Sequence, residues 1–174
     1  MLYVLAYPKF QPRDLAAVEQ FRSAFEPQRA RMVRAHVTLV FGVTSIDEVS
    51  LAEVTLFAAR AVKCFNICFS KRQTVFDPLD RLHRVFLLPS VGHDVVASIY
   101  QMLHRGVLSS QKRFETGFEP HMTIATTDDV ARAEAATTKA EEIKLPIWGT
   151  IDELTVVKRN GDHLKVVSRA SLAG

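Results

Sequence analysis

The sequence predicts an α+β fold with largely antiparallel sheets and outer helices. Short apolar runs of strand length recur along the whole chain, and amphipathic segments stand between most of them. The last two runs are joined by Asn160-Gly161, the preferred pair for a two-residue hairpin because both turn positions need positive φ. Crossovers mixed with hairpins argue against a doubly wound parallel sheet. With 174 residues, 48% of them apolar, the chain is read as one domain, 1–174, able to bury a real core.

The elements follow in order. Leu2–Tyr7 reads as a first strand, closed by Pro8 and Pro12. A helix is expected from about Asp14 to Phe25, with Leu15, Val18, Phe21 and Phe25 on one face, and Pro27 ends it. Arg34–Phe41 alternates as a strand and stops at Gly42. Ser45-Ile46-Asp47-Glu48 has the form of a capping box, in which Ser45 accepts from the Glu48 N–H, and opens a helix to about Ala61. Two apolar strands come next, Cys64–Phe69 and Arg84–Leu88, the second ending at Pro89. A helix over His93–Leu108 puts Val96, Ile99, Leu103 and Val107 on one side. Ser109–Pro120 reads as the longest loop, His121–Thr126 as a strand, and Val130–Glu142 as an Ala-rich helix before Pro146. Glu153–Arg159 and His163–Arg169 form the closing hairpin.

Composition excludes several classes. A net charge of +3 with this apolar content does not fit a disordered chain. No two of the seven glycines lie closer than eleven residues apart, whereas a dinucleotide fingerprint or a P-loop needs glycines within about six residues. Phosphate, if bound, must be held by side chains. The basic residues come as scattered groups (Arg29/Arg31/Arg34, Lys71/Arg72, Lys112/Arg113, Lys158/Arg159), which read as solvated surface rather than a nucleic-acid stripe. Cys64 and Cys68 lie on one predicted strand, roughly 13 Å apart and beyond disulfide reach, so both are read as buried thiols in a reducing compartment. Met1–Pro8 reads as a strand and not a signal peptide, and no apolar run reaches membrane-span length. A cytoplasmic monomer without membrane contact is expected.

One short element occurs twice. His36-Val37-Thr38-Leu39 is matched 85 residues later by His121-Met122-Thr123-Ile124, each at a strand start. A polar gap and an [ST]-x-x-[DE] helix start follow in both halves, Ser45/Glu48 and Thr126/Asp129. Residues i and i+2 of a strand share a face, roughly 7 Å apart. His36 and Thr38 therefore share one face and Val37 and Leu39 the other, and the second copy repeats this. Two pseudo-symmetric lobes with the aliphatic faces in the core would gather two His and two Thr around a central cleft. That set suits phosphoester chemistry: one neutral imidazole takes a proton, a protonated one returns it to the leaving oxygen, and the hydroxyls donate to the non-bridging oxygens.

With these two H-x-T-[LI] motifs, the sequence resembles the 2H phosphoesterase superfamily, and within it the 2′-5′ RNA ligase and cyclic-phosphodiesterase members. The resemblance extends over most of the chain, including the opening strand and helix and the Pro-His-Met-Thr-Ile start of the second motif. It implies two lobes of antiparallel sheet around a cleft, His36 and His121 as the acid–base pair, and Thr38 and Thr123 as phosphate binders. The His and Thr chemistry requires no metal and no cofactor is expected, and the expected substrate is a nucleotide or RNA end carrying a 2′,3′-cyclic phosphate or a 2′-5′ linkage. Two positions depart from the family: Ala35 stands where many members have Pro, and Thr126 where ligase-type members have Arg.

The remaining candidates are weaker. His83, His93, His104 and His163 lack metal-ligand spacing and read as solvated, although His83 beside Arg84 could line the cleft. Tyr3 and Tyr7 share a strand face and read as core or rim aromatics that could stack on a base. Lys112 and Arg113, in the long loop, could meet an RNA backbone. A non-catalytic RNA- or nucleotide-binding module with the same fold is the alternative reading, and a hydrolase using the two His as metal ligands is a third.

Overall fold

A computed structural model describes residues 1–78, 80–111 and 117–174. Its elements are β1 (Leu2–Ala6), β2 (Lys9–Phe10), α1 (Pro12–Phe25), α2 (Pro27–Met32), β3 (Val37–Val43), α3 (Glu48–Arg60), β4 (Phe65–Asp77) and β5 (Leu82–Val91). They continue with α4 (His93–Leu103), a 3-10 turn at Gly106–Gln111, β6 (Met122–Thr127), α5 (Val130–Ala140), β7 (Ile147–Ile151), β8 (Glu153–Asn160) and β9 (His163–Ser171). The strands form one curled sheet in the order β2-β7-β4-β5-β6-β3-β1-β8-β9, with the helices outside. The ladders between named strands are antiparallel, as the α+β reading expects.

The two lobes are halves of this sheet rather than separate sheets. They meet where β3 lies beside β6 through a single ladder pair, Val37 with Met122. Outward from that seam run β1, β8 and β9 on one side and β5, β4 and β7 on the other, with the two-residue β2 added at the outer edge of β7, so the order is pseudo-symmetric but for β2. The helix that follows β1 and the one that follows β5 each cross the seam: α1 packs on β6, and α4 packs on β3. α3 stays with β8 and β9, and α5 with β5 and β6. Val37, Leu39, Met122 and Ile124 are fully buried under these helices, which is the aliphatic face the alternation predicts.

Several boundaries differ from the sequence reading, each for a local reason. The cap of α3 is Asp47, whose carboxylate accepts from the Val49 and Ser50 N–H groups, and not Ser45. Asp129, not Thr126, caps α5 by accepting from the Arg132 N–H. Pro27 ends α1 but also opens α2, since proline suits a first helical turn. β4 runs eight residues past Phe69, because pairing with β5 sustains residues 70–77, which are polar but for Val75 and Phe76. β7 was not expected. Ile147, Gly149 and Ile151 face inward there, and Gly149 admits the Phe10 ring, which would lie 2.8 Å from a Cβ. α4 ends at Leu103, five residues short of the expected helix. Cys68 is buried but Cys64 is exposed, and both are free thiols. His104 is buried against Tyr100, ring centroids 4.0 Å apart, rather than solvated. Lys112 and Arg113 lie outside the described residues. No helix among the described residues is long and apolar enough to cross a membrane.

Candidate active site

The seam between β3 and β6 places the repeated motif. His36 and His121 each stand one residue before the first ladder position of their strands. The register that pairs Val37 with Met122 sets His36 across from Thr123, and Thr38 across from His121. With Val37 and Met122 turned into the core, alternation turns all four polar side chains to the opposite face. All four line one cavity of about 1240 Å³. That is larger than a phosphate needs and ample for a nucleotide.

Both imidazoles are held the same way. His36 Nδ1 lies 2.7 Å from the Arg34 carbonyl oxygen, and His121 Nδ1 lies 2.7 Å from the Glu119 carbonyl oxygen. A carbonyl oxygen only accepts, so each Nδ1 carries the proton and each neutral ring keeps its basic lone pair on Nε2. Each ring also meets an aromatic side chain of its own half. Tyr7 presents its edge to His36 at 6.1 Å between centroids, and Phe86 of β5 lies over His121 at 4.1 Å. The His36 ring is held below its ordinary range, at about 4. Enclosure by the protein is the main cause, the Arg34 carbonyl opposes it, and Arg22, Arg29 and His121 add repulsion. His36 is therefore neutral at pH 7, with Nε2 able to take a proton.

The cavity also gathers residues the motif does not reveal. Arg84 and Phe86 enter from β5, two positions apart on one face, with Phe86 paired to Thr123 and Arg84 to Thr126. The Arg84 guanidinium bonds to Asp77 and Asp80. Tyr3 of β1 lines the opposite wall. Tyr7 carries the Arg34 guanidinium over its ring at 4.9 Å, and burial raises its hydroxyl pKa against the pull of nearby arginines. α2 brings Arg29 and Arg31 to the rim, and the β8–β9 turn brings Arg159 and His163. Period-two reasoning on β5 could have found Arg84 and Phe86, while Tyr3 is the rim aromatic that the face of β1 offers. The α2 and β8–β9 contributions depend on how the sheet curls, which carries no local signal. His83 is not among the lining residues; its ring packs tilted against that of Phe76, which is. No group of three or more His, Cys, Asp or Glu suited to a metal ion occurs among the described residues.

The model of the 2′-5′ RNA ligase superfamily matches residues 9–163. The chain belongs to this superfamily. Solved structures of similar fold extend the comparison over nearly the whole chain. TT0787 of Thermus thermophilus is 18% identical with a TM-score of 0.64, covering 99% of this chain and 98% of that one. E. coli LigT complexed with 3′-AMP is 16% identical with a TM-score of 0.62, again covering 99% and 98%. Kluyveromyces marxianus Usb1 is 11% identical with a TM-score of 0.56, covering 95% and 96%. At these identities the structures speak for the fold. No curated protein sequence matches the chain. A 2′-5′ RNA ligase-type fold with two H-x-T strands side by side is the 2H phosphoesterase architecture that the sequence resembles.

Proposed function

We propose that this protein is a metal-independent phosphoesterase acting on a 2′,3′-cyclic phosphate or 2′-5′ linkage at a nucleotide or RNA end. One observation carries the reading: two H-x-T faces open into one cavity, and both rings donate Nδ1–H to the carbonyl two residues back. Nucleotide-sized ligands suit the cavity volume, and E. coli LigT has been crystallised with 3′-AMP, ATP and phosphate. We assign His36, whose ring is neutral at pH 7, as the base and His121 as the acid. In hydrolysis of a cyclic phosphate, His36 Nε2 takes a proton from the attacking water as the new P–O bond forms. His121, in its protonated form, gives its Nε2 proton to the ribose oxygen as the P–O bond to it breaks. Thr38 and Thr123 donate to the non-bridging oxygens, where charge builds.

The pH profile of kcat/KM on a 2′,3′-cyclic nucleotide, measured in EDTA, tests this. A lowered base pKa places the acid limb low: activity is lost as pH falls through about 4, when His36 gains a proton. On the other side activity falls as His121 loses its proton. A profile flat from pH 5 to 9 contradicts paired acid–base work. Loss of all activity on chelation would instead favour the two His as metal ligands.

A further inference from the structure

The turn before His36 is held by charges buried beneath the site. Arg22 on α1 is only 1% exposed. It donates from Nε to Glu26 at 2.7 Å, and from Nη1 to Glu19 and to the Val33 carbonyl, each at 2.9 Å. The other oxygen of Glu19 accepts the Ala35 N–H at 2.6 Å. The far oxygen of Glu26 accepts the Thr126 hydroxyl at 3.2 Å, so the cluster also reaches β6. Val33 and Ala35 flank Arg34, whose carbonyl accepts from His36 Nδ1. The backbone is thus tied on both sides of the carbonyl that orients the ring.

The second motif is braced by a different residue in the corresponding place. Pro120, buried, precedes His121. Its ring fixes φ, and it has no N–H to satisfy. Ala35, the matching residue of the first motif, is freer and carries an N–H that needs an acceptor, which Glu19 supplies. A buried charge cluster contributes little net stability, because desolvation offsets its Coulomb attraction. Its bonds to the 33–35 backbone give it another use.

We propose that Glu19 and Arg22 are positioning residues for His36. They fix the 33–35 turn so that the Arg34 carbonyl holds the ring as the Nδ1–H tautomer, with Nε2 as its basic atom. The kinetic consequence rests on the acid–base role proposed above, whereas the tautomer does not.

Histidine ring 15N NMR of the full chain at pH 7, with kinetics on a 2′,3′-cyclic nucleotide, tests the proposal. Glu19 is partly exposed, so Glu19→Ala is the main variant; Arg22→Met should act the same way wherever it folds. In Glu19→Ala, His36 shifts toward a mixture of tautomers while His121 keeps Nδ1–H. The kcat drops at least about tenfold with KM within about threefold, as expected for a misplaced acid–base group. Adding Ala35→Pro removes the orphaned donor as Pro120 does, and returns kcat to within about threefold of wild type. An unchanged His36 tautomer in Glu19→Ala overturns the proposal, as does an equal shift at both rings or no recovery in the double variant. If the wild type turns over no cyclic phosphate, the proposed function fails and the His36 nitrogen signals alone decide the positioning role.

Discussion

Thr38 and Thr123 take their importance from register. Because Val37 pairs with Met122, each threonine sits across from the other motif's histidine, and a phosphate held by both hydroxyls would lie between the two rings. Thr38→Val and Thr123→Val keep shape while removing the donor. Each is expected to lower kcat/KM by roughly 10- to 100-fold, somewhat under the loss for a backbone-rigid oxyanion donor, with little change in melting temperature. Steady-state kinetics beside a thermal melt check this, and a valine variant with wild-type kcat/KM would take its hydroxyl off the phosphate. At this scale the four motif residues were legible because strand periodicity is local and the pattern occurs twice. The Nδ1 bonds to Arg34 and Glu119 and the depressed His36 were not, since they depend on the turn geometry and on the burial that the tertiary fold imposes.

Elements carry the site through a few strained or bulged positions. Gly42, near the end of β3, has φ +52, and a Cβ there would stand 3.1 Å from the Tyr3 hydroxyl oxygen and 3.2 to 3.3 Å from ring carbons. The β1–β3 register shifts along the same stretch, from Leu2 with Val43 to Val4 with Val40. Gly42→Ala therefore imposes left-handed strain worth about 1–2 kcal/mol and presses on an aromatic wall of the cavity. The expected result is a lower urea midpoint with an unchanged slope; an unchanged midpoint would contradict the left-handed strain at this position. The sequence marked Gly42 as a strand end, which it nearly is. It did not mark the outer half of β4, since residues 70–74 are all polar and become strand only through pairing with β5. α2 was hidden because Pro27 reads equally as a stop and as a first-turn residue.

For the whole molecule, the exchange of α1 and α4 across the β3–β6 seam ties the halves together. Each motif strand packs against the first helix of the other half. Unfolding should therefore be one transition, with far-UV circular dichroism and the fluorescence of Trp148, the sole tryptophan and a residue of β7, tracing the same urea curve. Separate curves would show halves that fold independently. The class of fold was legible from alternating runs, the hairpin pair and the interleaved helices. The single sheet and the crossed helices were not, because they arise from long-range pairing that no local pattern encodes. In the proposed function, the two histidines of this sheet work as one acid–base pair on a phosphoester. The most direct measurement is hydrolysis of a 2′,3′-cyclic nucleotide by wild type, His36→Ala and His121→Ala, with ligand affinity measured beside it. Each substitution should cut turnover by about 100-fold or more while affinity stays within about tenfold. Turnover equal to wild type in both variants would contradict the account and leave a nucleotide-binding module in its place.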